Sequence, residues 1–112
     1  MTIMKIYAHI SCGDLAASEG WYRQLFGRGA DKHPMAGLAE WHFSDSAGLQ
    51  LFEDKKNAGS STLTIGVDNL QDEHARLAGE GLRPGAIEEA HEVGIARLRD
   101  PDGNLVVFAG PK

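Results

Sequence analysis

The sequence has one cysteine, no long apolar run and no excess of basic residues. The single cysteine, Cys12, excludes an internal disulfide and a multi-cysteine metal site, and it indicates a reducing, cytoplasmic location. No signal peptide or membrane span is recognisable, so no membrane partner is expected. Sixteen acidic residues against 11 basic residues give a net charge of −5, which argues against nucleic acid as a partner.

What is present fits an ordinary folded domain. The 112 residues are 42% hydrophobic and 24% charged, and they can bury one core but not two. We therefore predict a single domain spanning residues 1–112.

The chain repeats one pattern. A short strand, a capping residue, an amphipathic helix and a glycine occur first around Asp14 and Gly27, and again around Asn69 and Gly81. The two caps are 69 − 14 = 55 residues apart. Short strands follow each helix, so the sequence predicts β-α-β-β-β twice, in an α+β fold with mixed or antiparallel sheets. The modules are predicted at about 1–57 and 58–112, and the first strand after helix one, within GADKHPMAG, is weak enough to be a loop.

The last hairpin is the clearest turn in the sequence. Asp100-Pro101-Asp102-Gly103 combines a proline that fixes φ with a glycine that accepts positive φ. It separates GIARLR from NLVVFAG, so it closes a hairpin before the final strand.

Three motifs resemble the vicinal oxygen chelate superfamily, also called the glyoxalase/bleomycin-resistance/dioxygenase family. The opening motif of that family is similar to DLAAS at residues 14–18 followed by WYRQLFG at residues 21–27. Its final hairpin is similar to RDPDGN at residues 99–104, and the start of its second module is similar to GVDNL at residues 66–70. The resemblance implies two βαβββ modules whose curved mixed sheets enclose a cleft, and a homodimer. It does not fix the function, because the superfamily includes isomerases, dioxygenases, thiol transferases and metal-free drug-binding proteins.

Metal-dependent members carry histidine on the first strand of each module and glutamate or glutamine on the last. Alignment to the motifs places these four positions on Tyr7, Gln50, Thr62 and Val107. Only the Gln50 amide oxygen could bind a metal, and valine has no donor atom. We therefore expect no metal and no cofactor here.

Strand alternation turns other polar residues toward the cleft. His9, Glu40 and His42 could form a displaced metal site, an acid–base pair, or a simple polar lining. Arg97 could anchor an anionic ligand, or it could form an ion pair with Glu40 or another acidic neighbour.

Two main functions follow. The first is a metal-free protein that binds a small molecule, by sequestration of an antibiotic for example. The alternative is an enzyme of the glyoxalase, lyase or dioxygenase type with a displaced metal site or none; an accessory binding domain is a third idea. The expected ligand-binding residues are Tyr7, His9, Glu40, His42, Gln50, Phe52, Thr62, Arg97 and Val107.

Overall fold

A computed structural model describes residues 1–111 and contains two copies of the predicted β-α-β-β-β unit. The first copy comprises β1 (Ile6–Cys12), α1 (Leu15–Phe26), β2 (Lys32–Met35), β3 (Leu38–His42) and β4 (Ala47–Glu53). A short 3-10 turn (Lys55–Asn57) leads to the second copy: β5 (Thr62–Gly66), α2 (Leu70–Gly79), β6 (Glu88–Ala90), β7 (Val93–Arg99) and β8 (Leu105–Pro111). The fold class predicted from the sequence is confirmed.

Both helices begin at the predicted caps. The Asp14 carboxylate accepts a hydrogen bond from the Ala17 amide (3.4 Å), and the Asn69 side chain accepts one from the Asp72 amide (3.0 Å). Each side-chain oxygen thereby pairs one amide that the first turn of a helix leaves free. Helix α1 ends at Gly27, whose φ of 72° is left-handed.

The strands form two separate four-stranded mixed sheets. Sheet A has the order β1-β4-β3-β2, and sheet B has the equivalent order β5-β8-β7-β6. The first and last strands of each module pair in parallel across the helix, and the remaining pairs are antiparallel. The modules therefore repeat in topology as well as in sequence, and β1 lies beside β5 without the sheets closing into a barrel.

Two local expectations need correction. The weak segment after α1 does form a strand, β2, although its pairing with β3 is irregular and all of its residues are exposed. On α2, helical spacing predicts that Leu70, Leu77 and Ala78 share one face, but Ala78 is exposed whereas both leucines are buried. The buried face of α2 is therefore narrower than the helical spacing predicted.

One core serves both modules. Trp41 and Tyr22 are its largest fully buried side chains, and it extends from the first module to Leu77 and Val106 in the second. The helix-covered faces of both sheets contribute to this core. The opposite face of each sheet therefore lies outside it.

A polar cluster joins the modules at the turn between β7 and β8. The Asp102 carboxylate accepts hydrogen bonds from the Gly13 amide (3.0 Å) and the Ser18 hydroxyl (3.3 Å) at the start of α1. The Tyr22 hydroxyl donates to the buried Asp100 carboxylate (2.8 Å). The turn that sequence reading treated only as the closure of a hairpin thus binds the second module to the first.

Asn104 completes this junction and is fully buried. Its amide nitrogen donates to the Ser11 carbonyl (3.1 Å) and the Asp100 carboxylate (2.8 Å), and its oxygen accepts from the Gly59 and Ser61 amides. All of its hydrogen-bonding groups are used, as a buried amide requires. Among residues 1–111, no helix is long and apolar enough to cross a membrane.

Candidate functional site

The open face of sheet A, opposite α1, carries a compact group of polar and aromatic side chains. Strand alternation places Ile10, Leu49, Leu51, Ala39 and Trp41 in the core. It places the following residues on the open face: Tyr7, His9, Glu40, His42, Gln50 and Phe52. Each of these was expected there from the sequence.

The sheet register sets these residues in two rows. His9 on β1 lies opposite Gln50 on β4, and Gln50 lies opposite Glu40 on β3. In the next row, Tyr7 lies opposite Gly48, which lies opposite His42. Neighbouring side chains on one sheet face are close enough to interact directly.

Glu40 is the centre of the group. It is only 7% exposed, and its carboxylate accepts hydrogen bonds from His42 Nε2 (2.7 Å) and Gln50 Nε2 (3.0 Å). The hydrogen bonds from His42, Gln50 and also Tyr7 outweigh the effect of burial and hold the pKa of Glu40 below its usual value. Glu40 is therefore a carboxylate held in place by His42 and Gln50.

Tyr7 owes its position to a glycine that sequence reading did not single out. A Cβ on Gly48 would come within 2.8 Å of the Tyr7 ring and 2.9 Å of the Trp41 carbonyl oxygen. The bare backbone lets the Tyr7 ring lie over β4 and meet the edge of the His42 ring, with the ring centroids 6.0 Å apart. The Lys5 ammonium lies 5.4 Å from the centroid of the Tyr7 ring.

His9 is placed apart from this network. Its ring lies 6.0 Å from that of Phe52, and the hydrogen bonds of Glu40 come from other residues. Within residues 1–111, no three histidine, cysteine, aspartate or glutamate side chains come close enough to hold a metal ion. The group therefore brings Glu40 and His42 together as a pair, and His9 stands beside Phe52 as an aromatic wall.

The remaining expected site residues lie on sheet B. Val107 is opposite Thr64 on one side and Arg97 on the other, and Thr62 lies one row away. Arg97 and Glu88 form an ion pair, and their side chains are 47% and 60% exposed. The sequence left Glu40 or another acidic neighbour as the partner of Arg97. The partner is Glu88, and Glu40 pairs with His42 instead.

The four positions that carry metal ligands in the resemblance do not provide a donor set. Tyr7 and Gln50 are on sheet A, whereas Thr62 and Val107 are on sheet B. The Gln50 amide nitrogen donates to Glu40, and Val107 has no donor atom. A transition metal requires imidazole, carboxylate or thiolate ligands, so these residues do not fit one.

The helix-side face of sheet A borders an apolar cavity of about 430 Å³. Ile6, Ala8 and Leu49 line it from sheet A, Phe43 lines it just after the end of β3, and Leu63 and Ile65 line it from sheet B. α1 leaves this end of the sheet uncovered, since Ile6 is 70% exposed and Phe43 is also exposed. The cavity is distinct from the polar group, because strand alternation puts the two on opposite faces of sheet A.

No protein-family model and no curated protein matches this sequence. Solved structures do match. A glyoxalase/bleomycin resistance protein from Catenulispora acidiphila superimposes with a TM-score of 0.88 at 25% identity, covering 97% of this chain and 99% of that one. This chain has the vicinal oxygen chelate fold.

Two further structures agree with this assignment. A bleomycin-binding protein in complex with bleomycin matches with a TM-score of 0.79 at 20% identity, over 96% of this chain and 98% of that one. A lactoylglutathione lyase from Agrobacterium tumefaciens matches at 0.78 and 19% identity, over 94% and 91%. The resemblance stated from the DLAAS, WYRQLFG and RDPDGN motifs is confirmed, and these neighbours establish the vicinal oxygen chelate fold without fixing its function.

Proposed function

We propose that this chain is a metal-free protein that binds a small organic molecule on the open face of sheet A. The observation that carries the proposal is the group formed by Tyr7, Glu40, His42 and Gln50, with His9 and Phe52 beside it. A few fixed polar groups among aromatic side chains are typical of small-molecule sites.

The chemistry of the ligand positions supports binding without a metal. Thr62 and Val107 replace the imidazole and carboxylate that metal-dependent members use, and neither can substitute for them. Thr62, Val107 and Arg97 are proposed as a second ligand-binding surface on sheet B. We propose antibiotics as the first ligands to test, because a protein of this fold binds bleomycin; the single reduced cysteine supports a cytoplasmic location.

We also propose that the chain is a homodimer that uses the apolar surface around Ile6 and Phe43. Exposed apolar patches of this kind mark interaction surfaces more often than free surface. Sedimentation at rising concentration should show a dimer, and Ile6→Asp should shift it to monomer while the control Lys56→Asp should not. A monomer at every concentration would refute the dimer.

A thermal-shift screen tests the binding function. Antibiotics and aromatic metabolites are added to the wild type with and without a chelator, and hits are retested on Phe52→Ala and on the distant control Lys56→Ala. A ligand at about 100 times its Kd stabilises the fold by about 2.7 kcal/mol, a readily measured rise in Tm. We expect shifts that survive chelation and vanish in Phe52→Ala. A shift that depends on added metal, or that Phe52→Ala leaves unchanged, would contradict the proposed site.

An enzyme is the second candidate, and one observation favours it. The hydrogen bond between Glu40 and His42 has the geometry of an oriented general base. Mass spectrometry of each ligand after long incubation separates the two functions, since capture returns the ligand unchanged.

A further inference from the structure

His42 has a defined tautomer. Its Nε2 lies 2.7 Å from the Glu40 carboxylate, and a carboxylate can only accept. Nε2 must therefore carry a proton, and in the neutral ring the other nitrogen, Nδ1, carries a lone pair. Among residues 1–111, the His42 ring makes one hydrogen bond, from Nε2 to Glu40, so Nδ1 is free to accept from a ligand.

Charged and aromatic groups surround the His42 ring. Glu40 places a negative charge against the ring, and the Tyr7 ring presents its edge. Beyond the ring, Arg28 donates to the His42 carbonyl, and Asp31 accepts from its backbone amide at 2.7 Å. The Lys5 ammonium above Tyr7 is a further cation near this site, and it would favour an anion on the ligand.

The aromatic side chains indicate the shape of the ligand. The rings of Tyr7 and His42 meet at an interplanar angle of 64°, and Phe52 supports His9 at the far end of the neighbouring row. The His42 side chain is 25% exposed, so part of it is open to a bound group. A planar ring that carries a hydrogen-bond donor fits this arrangement.

We propose that the ligand is an aromatic molecule with an acidic hydroxyl, a phenol or enol, which His42 binds through Nδ1 as its anion. This inference rests on the proposed function and specifies the class of ligand. On binding, the ligand O–H bond breaks and an Nδ1–H bond forms. The electron pair stays on the oxygen, and the resulting imidazolium lies between that oxyanion and Glu40, so no further reactant is needed.

The probe for this proposal is 4-nitrophenol, whose neutral and anionic forms absorb at different wavelengths. Wild-type protein is titrated into the probe at about one pH unit below the free probe's pKa, where roughly a tenth is anion. We expect the bound probe to be mostly anion, a change of at least about tenfold in the anion-to-phenol ratio. The methyl ether 4-nitroanisole serves as the probe without an acidic proton.

Variants assign the effect to His42. In His42→Gln the anion-to-phenol ratio of the bound probe should return to within about twofold of the free probe. Glu40→Gln should lower it by a smaller factor. The control is His33→Gln, because His33 Nε2 contacts Glu19 at 2.8 Å in the same kind of pair on the outer strand β2. This variant should behave as wild type.

A measurement on the wild type covers the case in which a variant fails to fold. Nitrogen NMR of the histidine rings should show that His42 Nδ1 gains a proton when the probe binds. Probe and ether bound alike with an unshifted spectrum would overturn this inference and leave the proposed binding function standing. Binding of other screened molecules but not of 4-nitrophenol would also overturn it. A spectral shift that survives His42→Gln would refute the assignment to His42.

Discussion

Replacing Tyr22 with phenylalanine removes one hydroxyl group from the junction between the modules and so tests its contribution to stability. The Tyr22 hydroxyl is fully buried and donates to Asp100 at 2.8 Å, and Asp100 is itself buried. The Asp100 carboxylate keeps three other donors, the Asp102 and Asn104 amides and the Asn104 side chain, all within 2.9 Å. Loss of one hydrogen bond to a charged acceptor costs about 1.5–3 kcal/mol, and the missing hydroxyl leaves little cavity.

Equilibrium unfolding in urea, followed by the fluorescence of Trp21 and Trp41, measures this cost. We expect Tyr22→Phe to lower the free energy of unfolding by about 1.5–3 kcal/mol, with an unchanged dependence on urea. The control is Lys56→Ala, which changes an exposed side chain and should alter the free energy of unfolding by less than about 0.5 kcal/mol. A loss below about 0.5 kcal/mol for Tyr22→Phe, within the range of ordinary surface changes, would refute the importance of the junction.

Three further predictions follow from single residues. Gly48→Ala should lower stability and ligand affinity together, because the new Cβ would meet the Tyr7 ring and the Trp41 carbonyl. Calorimetry should show no comparable loss for the control Gly20→Ala, whose new Cβ meets nothing within 4 Å. Equal effects of the two substitutions would contradict the role of Gly48. Arg97→Ala should change the free energy of unfolding by less than about 1 kcal/mol, because its pair with Glu88 is exposed. It should weaken binding of an anionic ligand such as benzoate about tenfold or more if Arg97 is the anchor, and unchanged affinity would remove Arg97 from the site. Burial raises the pKa of the Cys12 thiol from 9.0 to about 11, so at pH 8 the folded protein should react with a thiol reagent at least about a hundredfold more slowly than the unfolded chain. Because the folded-state pKa of Cys12 is raised, its neutral thiol stabilises the folded state below pH 9, and this stabilisation is lost as the pH rises toward about 11. Rapid modification of the native protein by the thiol reagent would contradict the burial of Cys12.

Local patterns carried most of the fold. The caps Asp14 and Asn69, the left-handed glycine Gly27 and the turn at residues 100–103 are each read from neighbouring residues, and each is found where predicted. β2 was the uncertain strand, because its exposed sequence lacks the alternation that marks a half-buried strand. β2 forms because it pairs with β3, and the sequence of residues 32–35 alone does not reveal this pairing.

The candidate site divides in the same way. Alternation along β1, β3 and β4 placed His9, Glu40, His42 and Gln50 on one face, because side-chain direction in a strand is a local property. It did not give the strand register, so it could not show that Glu40 takes Gln50 and His42 as partners while His9 stands apart. The role of Gly48 also depends on register, since only the neighbouring strand brings Tyr7 over it.

The junction at Asp100 and Asn104 connects residues that are far apart in the chain. The hydrogen bonds from Tyr22 to Asp100 and from Asn104 to Ser11 span 78 and 93 residues, whereas each sheet is built from strands of one module. Contacts with such separations require a large loop to close before they contribute, so they are expected to form late during folding. Substitutions at the junction should then speed unfolding and leave the folding rate nearly unchanged, so the polar cluster sets how long the native state survives rather than how fast it is reached.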